Sequence, residues 1–268
     1  MYDGPVTLSD NMLDRVQAFD SHGLSDLSNA KLMDRVDTKF IATLPQLSSL
    51  LAVLPSLCSV LSVDGRRISN YKTYYYDAPE LQYYKHHHNG ALNRYKVRIR
   101  NYADQDSSFL EVKFKNNKKR TIKQRIQIDD AKINGLSGHL HFLDACGIQD
   151  VDQLSRIQLC NYKRIAFANE STGERLTIDF ELAYRDYKNN GELALPNIAI
   201  VELKQGRFNH RSALFLAIKK LGLSRVNFSK YCIGVSMLRA GEVKINRFKE
   251  MHLKLRKMSA FDSYKAVI

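Results

Sequence analysis

The stretch "RYKVRIR", residues 94–100, alternates cationic and apolar side chains without a break. Successive side chains of a β-strand point to opposite faces, so Lys96, Arg98 and Arg100 share one side and Tyr95, Val97 and Ile99 the other. The pattern returns. Arg35, Asp37 and Lys39 oppose Val36, Thr38 and Phe40, and Glu111, Lys113 and Lys115 oppose Leu110, Val112 and Phe114. Lys123 and Arg125 oppose Ile122, Ile126 and Ile128; Arg175, Asp179 and Glu181 oppose Leu176, Ile178, Phe180 and Leu182; Glu202 and Lys204 oppose Val201 and Leu203.

A sheet with one wet side would show charge at this period. A solvated face, however, mixes signs and includes Ser, Thr and Gln, whereas here long cations recur with few carboxylates among them. Segments 45–54, 136–146 and 209–222 have helical apolar spacing and are available to cover apolar outer faces. A closed antiparallel β-barrel with a charged lumen and helices packed outside satisfies both facts, making the fold class α+β. A lumen crowded with uncompensated cations is costly unless an anion occupies it.

Charge points the same way. Lys plus Arg outnumber Asp plus Glu 41 to 28 over 268 residues, a formal charge of +13. Such an excess predicts a polyanionic partner, whether nucleic acid, an acidic membrane surface or a phosphate-rich small molecule. Cys58, Cys146, Cys160 and Cys232 form no CxxC pair and have no zinc-ligand spacing, which suits reduced thiols in a cytoplasmic protein. The N-terminus lacks a basic segment followed by an apolar run, so no signal peptide is expected. Phe40 to Val63 is uncharged and long enough to cross a bilayer. Its prolines, serines and the helical spacing of Leu47, Leu50, Leu51 and Leu54 instead predict a strand end, a turn at Pro45 and a buried amphipathic helix; no transmembrane segment is expected.

The remaining pattern predicts helices over 10–29 and 240–260, the latter basic, and strands over 34–43, 66–77, 92–103, 108–116, 119–129, 157–169, 174–184 and 197–205. The run His86–His87–His88 reads as a solvated turn, since consecutive residues on an extended chain point apart. A single domain over 1–268 is expected, with its core at about 30–235.

In order along the chain, "TYYYDAPELQYYKHHHNGALNRYKVRIRNY", "FLEVKFK", "NYKRIAF", "RLTIDFEL", "IVELK" and "FSKYCIG" resemble the VTC domain, the polyphosphate-polymerase module of the vacuolar transporter chaperone family. That family belongs to the triphosphate tunnel (CYTH-like) metalloenzymes. The resemblance implies an eight-stranded antiparallel tunnel that binds a triphosphate and a divalent metal. Its phosphate-binding cations would be Lys39, Arg98, Arg100, Lys113, Lys123, Arg164 and Lys230, with Arg175 and Tyr162 also on family positions. Arg125 shares the face of Lys123. Lys39, Arg98, Arg100 and Lys230 would be catalytic, and Glu202 and Glu111 would hold Mn²⁺ or Mg²⁺. Each has a plainer alternative: Lys230 a surface lysine, Arg164 a partner of Asp179, Glu202 an ion-pair partner of Lys113. Fungal members add a phosphate-sensing domain and membrane helices, neither of which is expected within these residues; membrane-associated partner proteins remain open.

The chemistry suits these residue types. Phosphoryl transfer needs in-line oxygens and neutralised charge on the transferred group. Arg forks grip phosphate and Lys acts as a point charge, while a hard cation needs one or two carboxylates plus phosphate oxygens and water. No Walker A or kinase glycine loop is present, so side chains must recognise phosphate. The leading expectation is a polymerase that moves the γ-phosphoryl group of ATP onto polyphosphate. Hydrolysis of tripolyphosphate or a nucleoside triphosphate is the runner-up, and adenylate cyclisation or thiamine-triphosphate hydrolysis carries low weight. The alternative of another class is a polyanion-binding module without turnover. Glu111, Asp179 and Glu202 on the cationic face disfavour nucleic acid as its ligand.

Overall fold

The structure is a computed structural model that describes residues 8–26, 35–118, 120–129 and 135–258. In chain order its elements are α1 (Leu8–Gln17), β1 (Ser21–His22), β2 (Val36–Thr43), α2 (Leu44–Val53), β3 (Ser59–Leu61), β4 (Ser69–Asp77), α3 (Gln82–Asn89), β5 (Arg94–Tyr102), β6 (Ser107–Lys115) and β7 (Thr121–Ile128). There follow α4 (Leu140–Ala145), β8 (Ser155–Asn169), β9 (Glu174–Asp186), β10 (Glu192–Gln205), α5 (Ala213–Lys220), β11 (Arg225–Val226), α6 (Lys230–Leu238) and α7 (Lys249–Met258). The class is α+β. The strands follow the hydrogen-bonded path β11-β2-β10-β9-β8-β4-β5-β6-β7, with β3 beside β8 and β1 beside β3, so the path has two ends among the described residues. Pairing is antiparallel from β4 to β7 and between β2 and β10, β2 and β11, and β3 and β8; β1 and β3 are parallel.

The chain divides into two compact units: Met1–Ser69, Lys163–Glu181 and Asn197–Asn227; and Asn70–Tyr162, Leu182–Pro196 and Phe228–Ile268. In the first, Phe40, Ala42, Ile165, Phe167, Leu176, Ile178, Phe180, Ala199, Val201 and Leu203 turn from the sheet onto Leu47, Leu50 and Leu51 of α2 and Leu214, Phe215 and Ile218 of α5. α2 begins where Thr43 accepts a hydrogen bond from the Gln46 amide and the Gln46 side chain accepts one from the Thr43 amide. This reciprocal cap, with Pro45 in the first turn, ends the strand and starts the helix within the uncharged stretch. In the second unit, Tyr76, Val97, Ile99, Leu110, Val112 and Ile128 pack with Tyr83, Leu143, Cys146 and Ile148. Most apolar members of the alternating strands are therefore core, although Val36 and Ile122 are exposed at 40% and 49%, and the charged members occupy the other face of each strand.

Several elements differ from expectation. Instead of a helix over 10–29, α1 stops at Gln17 because Phe19 joins the core and the Asp20 carbonyl accepts from Val60, which leads the chain into β1. Residues 27–29 lie outside the described set, as do 34, 119 and 259–260 at the ends of other expected elements. The histidine run is not an extended turn: His86, His87 and His88 form the last turn of α3, which closes on Gly90 at φ 72°. The 240–260 segment is a turn at Arg239–Val243, a short 3-10 turn at Asn246–Phe248, then α7. No helix among the described residues is long and apolar enough to cross a membrane.

Candidate functional site

Register decides which charges meet. Across β5, β6 and β7, Arg98 stands opposite Glu111 and Glu111 opposite Arg125, while the adjacent row reads Lys96, Lys113, Lys123. Arg98 donates through Nε to Glu111 Oε2 at 2.7 Å, and its Nη2 lies 2.6 Å from the same oxygen. Lys123 pairs with Glu111 Oε1. The Glu111 side chain is fully enclosed. Burial alone would raise its pKa, but Arg98, Arg100 and Lys123 outweigh it and hold the carboxyl well below the ordinary range.

One carboxylate does not neutralise this cluster. Lys113 makes no ion pair or hydrogen bond among the described residues; Arg98, burial and Arg100 together push its ammonium well below the usual lysine pKa. Arg100 is buried, with its guanidinium 5.4 Å from the Tyr71 ring centre. Tyr71 stacks on Tyr162 at 5.1 Å, and Lys230 places Nζ 4.4 Å from the Tyr162 ring centre. Lys230 is the first residue of α6, where Ser229 caps the helix and receives a hydrogen bond from Lys96 Nζ at 2.9 Å. Arg125 is exposed and lies over Phe109.

The first unit carries its own charged set. Lys39 stands opposite Glu202 in the β2–β10 register, with Nζ 3.4 Å from Oε1. Lys204 Nζ lies 3.4 Å from the other oxygen of the same carboxylate. Lys204 was placed on the Glu202 face by period two but given no role; only the distances show that it shares Glu202 with Lys39. Burial pushes Lys204 below its ordinary pKa, and Arg164 adds to this, while Glu202, Asp37 and Asp179 pull it back. Arg164 grips Asp179 with two bonds, Nε to Oδ1 at 2.5 Å and Nη2 to Oδ2 at 2.7 Å. Arg175, half-buried, is pushed below its ordinary pKa by burial and by Arg35.

The expected residues thus fall into two groups. Arg98, Arg100, Lys113, Lys123, Arg125, Lys230, Tyr162 and Glu111 belong to the second unit; Lys39, Arg164, Arg175 and Glu202 belong to the first. Glu202 forms ion pairs with lysines of β2 and β10. No group of three His, Cys, Asp or Glu side chains among the described residues gathers around one point. A hard cation that keeps water and phosphate oxygens needs fewer. Both Glu202 contacts, at 3.4 Å, are longer than the 2.7–2.9 Å of a tight charged hydrogen bond. Glu111 has both oxygens engaged.

The family model described as VTC domain matches residues 34–239. Among solved structures, the chain is similar to a putative adenylyl cyclase from Hippeastrum described as revealing a dominant triphosphatase activity. Identity is 12%, coverage 79% of this chain and 98% of that one, and the TM-score 0.48. A conserved hypothetical protein from Pyrococcus furiosus is similar at 15% identity over 71% of this chain and 92% of its own, with a TM-score of 0.40. A search of curated proteins found no match.

Proposed function

This chain belongs to the VTC domain family, and from that premise we propose that it is a metal-dependent phosphotransferase that moves the γ-phosphoryl group of ATP onto a polyphosphate chain. The observation that carries the reading is the row Lys96, Lys113, Lys123 beside the Arg98–Glu111 pair. Like charges directly opposite one another destabilise a sheet. A row of three held beside two arginines is stabilised when a polyanion lies on it. The eight-stranded closed tunnel, the cytoplasmic location and membrane-associated partner proteins belong to the same proposal.

Roles follow from side-chain chemistry. Arg98 spends two donors on one oxygen of Glu111, which fixes the guanidinium plane and leaves its other donors for phosphate. Arg100 and Arg98 are the phosphate forks; Lys113, Lys123 and Lys230 are point charges. Lys230 is oriented by the Tyr162 ring and by its place in the first turn of α6. We assign Lys39, Arg98, Arg100 and Lys230 to stabilising charge on the transferred group, and Arg125, Arg164, Arg175 and Tyr162 to supporting phosphate binding. Glu202 is the residue that would hold Mn²⁺ or Mg²⁺, which neutralises phosphate charge when bound. Glu111, expected to share the metal, is here assigned to positioning Arg98 and Lys123.

Incubation with ATP and Mn²⁺, with ADP, free phosphate and long polyphosphate measured separately, tests the proposal. ADP with polymer is expected. ADP with free phosphate makes the chain a triphosphatase, and polyphosphate binding without ADP makes it a non-catalytic module. Arg98→Ala should weaken triphosphate binding and turnover together, since it removes a contact made throughout the reaction.

A further inference from the structure

We propose that β5 and β6 carry a second phosphate subsite, formed by Arg94, Lys96, Lys115 and Arg247, which holds phosphate groups of a polyphosphate chain beyond those gripped at Arg98 and Arg100. The proposal rests on the phosphotransferase reading and adds to it the place where a long chain lies.

Strand geometry supplies the first argument. Arg94 and Lys96 share the face of Arg98 and Arg100 on β5, and Lys115 shares the face of Lys113 on β6. In register, Arg94 stands opposite Lys115 and Lys96 opposite Lys113. From Arg98 to Arg94 is four residues, or about 13 Å of strand. The three phosphates of a nucleoside triphosphate held at Arg98 and Arg100 do not extend across two further rows, whereas a longer chain does. The cations therefore form a track rather than a single pocket.

Neutralisation supplies the second. The Arg98 cluster has Glu111, but Arg94, Lys115 and Arg247 have no carboxylate within ion-pair distance among the described residues. Arg247 comes from the turn before α7 and donates through Nη1 to the His88 carbonyl at 3.3 Å. Its tip lies beside Gly90, which ends α3 at φ 72° and where a Cβ would stand 2.6 Å from Arg247 Nη1. This brings another guanidinium towards cations already present.

The third argument is a pair of orphaned nitrogens. His87 Nε2 and Arg94 Nε are enclosed and have no hydrogen-bond partner. Burial, with Lys96, Arg94, Lys115 and Arg247, pushes the His87 pKa down to about 2, and no carboxylate pulls it back. Buried polar groups normally find partners, and here they sit among charges of one sign. A phosphate group bound beside them would offset that excess of positive charge.

The test compares tripolyphosphate, long-chain polyphosphate and orthophosphate as ligands of wild type, Lys115→Ala, Arg247→Ala and the charge-reversed Lys115→Glu. Melting curves verify that each variant folds. Loss of one charged phosphate contact is expected to lower the preference for long chains over tripolyphosphate about tenfold in each alanine variant, and further in Lys115→Glu. Equal losses for long and short chains, or none for either, overturn the subsite. A loss of orthophosphate binding as large as that of the long chain makes it a free-anion site and overturns the chain assignment. Wild type that binds no triphosphate at all overturns the phosphotransferase reading instead.

Discussion

Arg98 and Glu111 face each other across β5 and β6, and the guanidinium meets a single carboxylate oxygen through both Nε and Nη2. The other oxygen serves Lys123. One enclosed carboxylate therefore orients two of the cations proposed to bind phosphate at once, while Lys113 makes no ion pair among the described residues.

Removing that carboxylate charge tests the arrangement. Losing one partner of a buried pair costs about 3–5 kcal/mol, because the remaining charges stay buried and unpaired. Glu111→Gln should lose about that much in urea unfolding, and tripolyphosphate should stabilise it more than it stabilises wild type. The pH response follows in sign. The folded-state pKa of Glu111 is depressed, so its contribution is present above the ordinary value of 4.5 and disappears as pH falls below it. Wild type should lose stability more steeply than Glu111→Gln between about pH 6 and pH 3. Parallel profiles would show that Glu111 contributes no linkage.

Lys113 makes the opposite prediction. Its folded-state pKa is pushed well below 10.5 by Arg98, burial and Arg100. Between the folded and unfolded values the unfolded chain binds more protons, so this residue makes stability rise with pH across that window. A bound polyanion raises the depressed pKa again, so tripolyphosphate binding at a pH inside that window should take up protons. Titration calorimetry in two buffers of different ionisation heat measures the uptake. Lys113→Met should reduce it, raise the melting temperature of the free protein and weaken tripolyphosphate binding about tenfold. Binding heat that is the same in both buffers would exclude the linkage.

The strands were legible because charge and apolar character alternate so strictly: Val97 and Ile99 are core, and Arg98 and Arg100 lie opposite them. Which carboxylate meets which cation was not, because register is set by the turns and by tertiary packing; nothing local ties Glu111 to Arg98 and Lys123, or Glu202 to Lys39 and Lys204. α3 was hidden for a different reason. Glu80 and Leu81 adopt left-handed conformations at φ 54° and 60° just before it, and its first-turn amides, Tyr83 and Tyr84, are capped from a distance by the enclosed Asp77 carboxylate at 2.7 and 2.9 Å. Gly90 was the one local sign of its end. α6 is buried almost all round, from Tyr231 to Met237, so it shows no amphipathic stripe. Ser229, its cap, was present within "FSKY" but carried no weight alone.

Gly234, in the middle of α6, gives a packing prediction. A Cβ there would collide with Gln158 Oε1 and stand 2.7 Å from Tyr184 Cδ1. Gln158 cannot move freely, since its amide donates to the Tyr231 carbonyl at 3.1 Å. Overpacking of this kind costs about 1–3 kcal/mol. Gly234→Ala should lower the melting temperature and also weaken triphosphate binding, because α6 begins at Lys230. A variant that melts like wild type would show that α6 shifts without strain.

Glu202 separates binding from chemistry. Its oxygens each lie 3.4 Å from an ammonium, Lys39 on one side and Lys204 on the other. Glu202→Gln keeps the shape and removes the charge, so both lysines turn fully to the ligand. Tripolyphosphate affinity without metal should hold or rise, since a carboxylate that repelled phosphate has gone. Mn²⁺ binding, followed by electron paramagnetic resonance in the presence of tripolyphosphate, should weaken. Turnover should fall on the order of 10²-fold or more, the scale for losing a principal electrostatic stabiliser. The combination distinguishes a metal-holding carboxylate from a purely structural one, whose loss would destabilise the fold and weaken the phosphate ligand without touching Mn²⁺. If Glu202→Gln retains wild-type Mn²⁺ affinity and turnover across metal concentrations, Glu202 serves only Lys39 and Lys204, and the metal must be held elsewhere.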